Sequence, residues 1–266
     1  MKNVCKTVFI TLVLIFLYAP ILILTVYSFT DATTIGAIRG FSLHNYVTLF
    51  TTPELRDMIF GTITLALGAA LLATVLGTLG AVGSFYSGKV TNSVITAVNQ
   101  IPVVNADVVT GFSACILLVV VLGITKDTFI PLLAGHVTLC APFVFLSVVP
   151  KLKQMDPSIY EAALDLGASP ATALRKIVFP QISSGVFSGF CLAVTLSLDD
   201  YFIATYTKPA TFDTISTYVV NATKGAQTEI KTALWALSAV IFLIVLLIVA
   251  AANFRASGSE AERSQV

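Results

Sequence analysis

The sequence predicts an all-α, polytopic membrane protein with six transmembrane helices, and three observations carry that reading. Hydrophobic residues make up 56% of the 266-residue chain and charged residues only 11%, whereas a soluble domain carries about 25% charged residues. With a mean hydropathy of +0.92, the chain lacks the polar surface to coat a globule in water. Six stretches are then long enough for a bilayer crossing, which takes about 20 apolar residues: Thr7–Thr30, Met58–Gly88, Val90–Thr125, Thr128–Pro150, Ile177–Leu198 and Thr232–Phe254. Finally, these runs do not alternate in hydrophobicity over about 10 residues, as the strands of an outer-membrane barrel would.

The first span is expected over about 8–29. Lys2 and Lys6 before it resemble the start of a signal peptide. Its uncharged run exceeds the 7–15 residues of a typical signal core, however, and no small-x-small cleavage site follows. A retained helix is expected. A polar loop, Asp31–Asp57, leads to a second span over about 61–86, where Gly68, Gly77, Gly80 and Gly83 sit among alanines. Small residues let helix backbones approach closely in lipid, so this helix should present a packing face. The third span (about 94–122) contains Pro102, Asn105 and Asp107; the fourth (about 129–150) contains His136, read as a packing residue because no polar partner lies near it in sequence. The fifth (about 179–201) ends on Asp199-Asp200-Tyr201, and the sixth runs over about 232–254. Residues 1–266 read as a single transmembrane domain. With the amino terminus inside, the inner segments hold nine Lys and Arg residues and the longer outer loops six. The positive-inside rule therefore puts both termini in the cytoplasm.

No phosphate-binding loop, H-E-x-x-H, G-x-S-x-G or dinucleotide fingerprint occurs. Cys5, Cys115, Cys140 and Cys191 show no metal spacing. Neither catalytic nor metal-binding residues are expected, so uphill transport would draw on an ion gradient or on a partner. A gradient-driven secondary carrier with Asp107 as its proton or cation site is one alternative. Such carriers usually show internal repeats, and none is evident.

The segment "MDPSIYEAALDLGASPATALRKIVFP", from Met155 to Pro180, carries two sets of helix punctuation. Asp156 can cap a helix with Pro157 in its first turn, and Gly167 can end it. Ser169 then caps a second helix that begins with Pro170. Ile159, Ala162, Ala163 and Leu166 fall on one apolar stripe, with Glu161 and Asp165 off it. A helix resting on the cytoplasmic leaflet would favour basic residues on its polar face. Acids, small residues and a sharp stop suit insertion into a groove on another protein.

Glu161-Ala162-Ala163, Gly167 and Ile177-Val178-Phe179-Pro180 together resemble the cytoplasmic loop signature of ABC importer permeases, with Phe179 where the family usually has Leu. The resemblance implies a type I importer permease fold in which residues 157–167 form a coupling helix between the fourth and fifth spans. In that family the coupling helix docks on a separate ATPase subunit, which binds ATP and Mg, so this chain would need no cofactor of its own. "YAPILILTVYSF", "GFSLHNYVTLF", "HVTLCAPFVF" and "LSLDDYF" extend the likeness to the C-type permeases of spermidine/putrescine importers. That likeness implies an inner-membrane heterodimer with a second permease subunit, a dimer of ATP-binding subunits and an extracellular polyamine-binding protein.

Ionisable residues within spans are costly and by default mark a pathway or a paired site. Here they are Asp107, His136 and Asp199-Asp200, with no Lys or Arg in any span core. Acids without bases favour a cationic cargo over an anion. Asp107, Asp199, Asp200 and Tyr201 are the candidate pathway residues. Along a straight helix rising about 1.5 Å per residue from Lys89, Asp107 would lie near or beyond the midplane. The aromatic rings beside the acid pair could add cation–π contact. A structural hydrogen bond for Asp107, and a solvated helix end for Asp199-Asp200, are the alternatives.

Overall fold

The computed structural model describes residues 2–31, 40–224 and 232–243, and every regular element among them is helical. The elements are α1 (Lys2–Ser28), α2 (His44–Thr51), α3 (Pro53–Phe85), α4 (Lys89–Val104), α5 (Asp107–Cys115), α6 (Phe129–Gln154), α7 (Pro157–Asp165), α8 (Pro170–Ala173), α9 (Phe179–Asp199), α10 (Phe202–Thr207), α11 (Ile215–Lys224) and α12 (Thr232–Leu243). Wider π-type turns follow α5 at Ile116–Val121 and α8 at Leu174–Val178.

Residues 58–218 form one compact unit. Its core runs from α3 (Ala70, Ala73, Ala81) through α6 (Val144, Phe145, Val148, Leu152) to Ile182 and Ala193 of α9 and Ile203 of α10. Between helices in lipid there is little hydrophobic drive, so close approach of backbones carries the packing. A Cβ on Gly77 would lie 2.6 Å from the Ala141 carbonyl oxygen, and one on Gly185 would lie 2.9 Å from that of Ser147. Gly77 and Gly185 thus seat α3 and α9 directly on α6. The expected packing face of the second span is real at Gly77, with Gly80 in ordinary contact with Phe145; a Cβ on Gly83 would meet nothing. Large apolar residues on the opposite side, among them Leu71, Leu72, Val75 and Leu79 of α3, stay exposed, as suits a helix surface that meets lipid.

The described residues of 1–57 and 219–243 belong to a second unit. Buried Asn45 at the start of α2 donates to the carbonyls of Ser28 and Thr30, each at 3.1 Å. The Ser28 hydroxyl pairs with that of Tyr46 at 2.8 Å. These bonds give "SLHNY" a physical task, which is to hold the chain leaving α1 against α2. Tyr27 and Tyr18 of α1 make ring contacts with Trp235 and Phe242 of α12.

Four helices among the described residues are long and apolar enough to cross a membrane: Lys6–Ser28, Pro53–Phe85, Phe129–Gln154 and Pro170–Asp199. The third predicted span is not one straight helix. α4 and the helical stretch Asp107–Val121 meet at 106°, with Asn105 and Ala106 extended between them. Pro102 removes one amide donor from the last turn of α4, and the helix ends two residues later. A depth for Asp107 based on a straight helix therefore does not hold. α12 is apolar but shorter, and residues 244–254 of the predicted sixth span lie outside the described residues. The helices that hold the second, fourth and fifth predicted spans run over Pro53–Phe85, Phe129–Gln154 and Phe179–Asp199.

Candidate functional site

The sequence-predicted residues fall into two groups: one on α7 and its stop, ahead of α8 and the N-terminal end of α9, and the other around the C-terminal end of α9, a helix about 30 Å long at 1.5 Å per residue. At its C-terminal end Asp199 closes the helix and Asp200 turns the chain in an extended conformation toward α10. The two neighbours differ sharply. Asp199 is exposed, whereas Asp200 is buried with its carboxylate facing inward. One oxygen accepts from the Ile203 amide at 3.2 Å and the other from the Ala204 amide at 2.8 Å, satisfying donors that a helix start leaves free. Asp107 is exposed in the first turn of α5, where the helix dipole favours an acid. Asp107 and Asp199 both lie within electrostatic reach of Asp200.

His136 of α6 is fully buried in the same corner. Its Nδ1 pairs with the Ser197 hydroxyl at 2.8 Å, and its Nε2 points toward Asp200 Oδ2 at 3.7 Å, too far for a hydrogen bond. Ser197 lies 61 residues away in the chain, which is why sequence inspection found no partner for this histidine. α10 is wedged tightly into place. A Cβ on Gly135 of α6 would lie 2.6 Å from Ile203 Cγ2, and one on Gly111 of α5 would lie 2.9 Å from Ile203 Cα. Tyr201 is half-buried and rests on Phe202, while Tyr206 rests on Phe112.

Asp199 sits at the carbonyl-rich end of its helix, where a negative charge is disfavoured and a cation is welcome. Lys208, the nearest base in sequence, is engaged elsewhere: its Nζ is 3.1 Å from Asp213 and donates to the Phe212 carbonyl at 2.9 Å. Among the described residues no Lys or Arg pairs with Asp107 or Asp199. Two accessible carboxylates without a basic partner can take up a positively charged guest.

At the other end, the punctuation read from the sequence forms as written. Asp156 Oδ1 accepts from the amide and hydroxyl of Ser158 at 3.0 and 2.8 Å, and those bonds hold its carboxyl below the usual carboxylate range. Gly167, at φ +86°, ends α7. The Gly167 amide bonds the Leu164 carbonyl and the Ala168 amide that of Ala163, the two bonds of a Schellman stop. Ser169 accepts from the Thr172 amide at 3.3 Å to open α8. Of the expected apolar stripe only Ala163 is buried; Ile159 and Ala162 are exposed and Leu166 is 89% exposed. Glu161 and Asp165 are exposed as well. Tyr160 turns inward and packs its ring, tilted by 39°, against that of Tyr86 just beyond α3, with centroids 4.6 Å apart. The π-type turn at Leu174–Val178 had no sequence signal.

Solved importers share this arrangement of helices. A bacterial ABC transporter involved in the import of the acidic polysaccharide alginate superposes with a TM-score of 0.72, covering 96% of each chain at 19% identity. An amino acid ABC transporter matches with a TM-score of 0.54 over 76% of this chain and 92% of its own. At such identities the likeness is one of fold. Residues 73–256 match the binding-protein-dependent transport system inner membrane component family, and the chain belongs to that family of multi-pass membrane permeases. Its curated relatives include the putrescine transport system permease protein PotI of Escherichia coli K12, 34% identical over 81% of this chain and 79% of that protein. The spermidine/putrescine transport system permease protein PotC of Haemophilus influenzae is 32% identical over 91% of this chain and 94% of its own length. PotC of E. coli K12 is 31% identical over 92% and 91%.

Proposed function

We propose that this chain is a permease subunit of an ATP-driven polyamine importer, forming half of a translocation pathway for putrescine or spermidine. The observation that carries the cargo is identity above 30% to PotI and PotC across most of the chain. The unpaired, accessible carboxylates of Asp107 and Asp199 give that cargo a physical reason, because a di- or polyamine carries separated positive charges. Tyr201 offers a ring face beside them, worth about 0.5–2 kcal/mol to a cation.

In this reading the bent pair α4–α5 is the third of six spans, the helix that begins at Thr232 is the sixth, and both termini are cytoplasmic. Residues 157–167 are the coupling helix. Leu166, Ile159, Ala162 and Glu161 face outward, which supports docking on an ATPase subunit that holds ATP and its Mg. A second permease completes the pathway and an extracellular binding protein delivers the cargo. Closure of the ATPase pair moves α7 and turns the pathway outward to receive polyamine; hydrolysis returns it inward.

The test is uptake of labelled putrescine and spermidine into proteoliposomes holding this chain with its co-purified partners, ATP inside and binding protein outside. ATP-dependent accumulation, competed by excess polyamine but not by sulfate or an acidic oligosaccharide, is expected. Accumulation of a different amine in place of both would reject the cargo.

A further inference from the structure

The α9–α10 corner holds adjacent aspartates in opposite situations. Asp199 is exposed, with no basic partner among the described residues. Asp200 is 8% exposed, and both of its oxygens receive backbone amides of α10. We infer that Asp200 is a positioning residue, not a ligand for the cargo: with His136 and Ser197 it forms a buried clamp that fixes α10 and so holds Asp199 and Tyr201 at the pathway. The role of Asp199 and Tyr201 rests on the permease reading above, whereas the clamp itself does not.

The geometry leaves Asp200 little else to do. A carboxylate that bound cargo would need an accessible edge, and here the side chain is buried with each oxygen already accepting an amide of its own chain. On the far side His136 is fully buried, held by Ser197 through Nδ1 with Nε2 turned toward Asp200. Ser197 is two residues before Asp199 on α9 and His136 is on α6, so their bond ties those two helices. Asp200 ties the end of α9 to α10 through the Ile203 and Ala204 amides and only faces His136 Nε2, without a hydrogen bond. Ile203, the first amide donor to Asp200, is fully buried and pressed by Gly111 and Gly135. Farther along, Ser216 donates to the Leu198 carbonyl at 3.1 Å and braces the end of α9. If the clamp were released, α10 would shift, and Tyr201 and Asp199 would shift with it.

Charge and hydrogen-bond acceptance can be separated by substitution. Asparagine keeps one acceptor oxygen where Asp200 uses two, so it retains part of the cap, and alanine retains none. In the reconstituted complex, Asp199→Asn and Asp199→Ala should each raise the half-saturation concentration for putrescine about tenfold or more, because either change removes a charged partner of the cargo. At position 200 the pattern should differ: Asp200→Asn stays within about twofold of the unmodified protein, while Asp200→Ala costs about fivefold, the effect of an ordinary lost cap. Amide exchange over residues 202–207 should accelerate in Asp200→Ala, return toward normal in Asp200→Asn and be unmoved by Asp199→Asn.

Ser197→Ala, which removes one hydroxyl, should loosen α10 in the same direction and combine non-additively with Asp200→Ala. It also serves if Asp200→Ala does not assemble. Asparagine at 200 as damaging as alanine, with exchange in α10 unchanged, would overturn the clamp and make Asp200 a cargo ligand. If even the unmodified complex takes up no putrescine, the permease reading fails, and the exchange pattern still decides the clamp.

Discussion

The two segments that flank α9 offer a comparison across one helix. The α7–α8 segment is built from local bonds, with Asp156, Gly167 and Ser169 each acting within five residues, and it leaves its apolar stripe facing out. The α9–α10 corner is built from distant residues, with His136, Ser197, Gly111 and Gly135 converging from three helices, and it leaves two carboxylates facing out. Under the proposed function, one end is gripped by a protein and the other receives a charge. An importer driven by a separate motor needs that division, because force and cargo enter at different places.

Paired glycine substitutions break the two ends independently and should give the largest effects. Gly167→Val places a branched side chain at φ +86°, a strain of about 1–3 kcal/mol. It should abolish co-purification of the ATPase and ATP-driven uptake, while amide exchange over residues 202–207 stays normal. Gly135→Val drives Cβ into Ile203, an overpacking cost of about 1–3 kcal/mol. The expectation is the mirror image: the ATPase co-purifies normally, uptake falls at least about tenfold, and exchange in α10 accelerates. If both variants lose both properties, the two ends are not separable.

Tyr160→Ala tests a smaller step, because this ring is the inward contact of α7, packed against Tyr86. Loss of one aromatic pair, about 0.5–1.5 kcal/mol, should lower uptake per ATP hydrolysed a few-fold with the ATPase still bound, and Tyr160→Phe should restore it. Equal uptake per ATP in all three proteins would exclude a role for that contact in coupling.

The smallest effect concerns pH. Hydrogen bonds from Ser158 lower the Asp156 carboxyl from its ordinary 3.8. A depressed carboxyl stabilises the folded state above its unfolded value, and that contribution disappears only as pH falls through the lowered one. Asp156 should therefore make ATPase co-purification no more sensitive to pH between 6 and 8 than Asp156→Asn does. A difference between the two across that range would mean that another titrating group acts on α7.

Legibility in the sequence followed the same division. Caps and stops at 156, 167 and 169 depend on residues a few positions apart, so their spacing was enough to place α7 and α8. The apolar runs gave helices for the same reason. Pro102 and Asn105 read as lying within one continuous third span, and the 106° bend between α4 and Asp107–Val121 is a tertiary outcome that no local pattern encodes. The pairing of His136 with Ser197 spans 61 residues, and the contrast between Asp199 and Asp200 depends on which way each side chain turns after α9 ends. Adjacent identical letters therefore read alike in the sequence and differ in the fold.

Under the proposed function this subunit moves solute only when another protein supplies the work. The most direct measurement compares putrescine accumulation in vesicles holding the purified chain alone, under a proton or sodium gradient, with vesicles holding the chain plus its co-purified partners and ATP. No accumulation is expected in the first case, and accumulation that tracks ATP hydrolysis in the second. Gradient-driven accumulation by the lone chain, insensitive to Gly167→Val, would contradict that function.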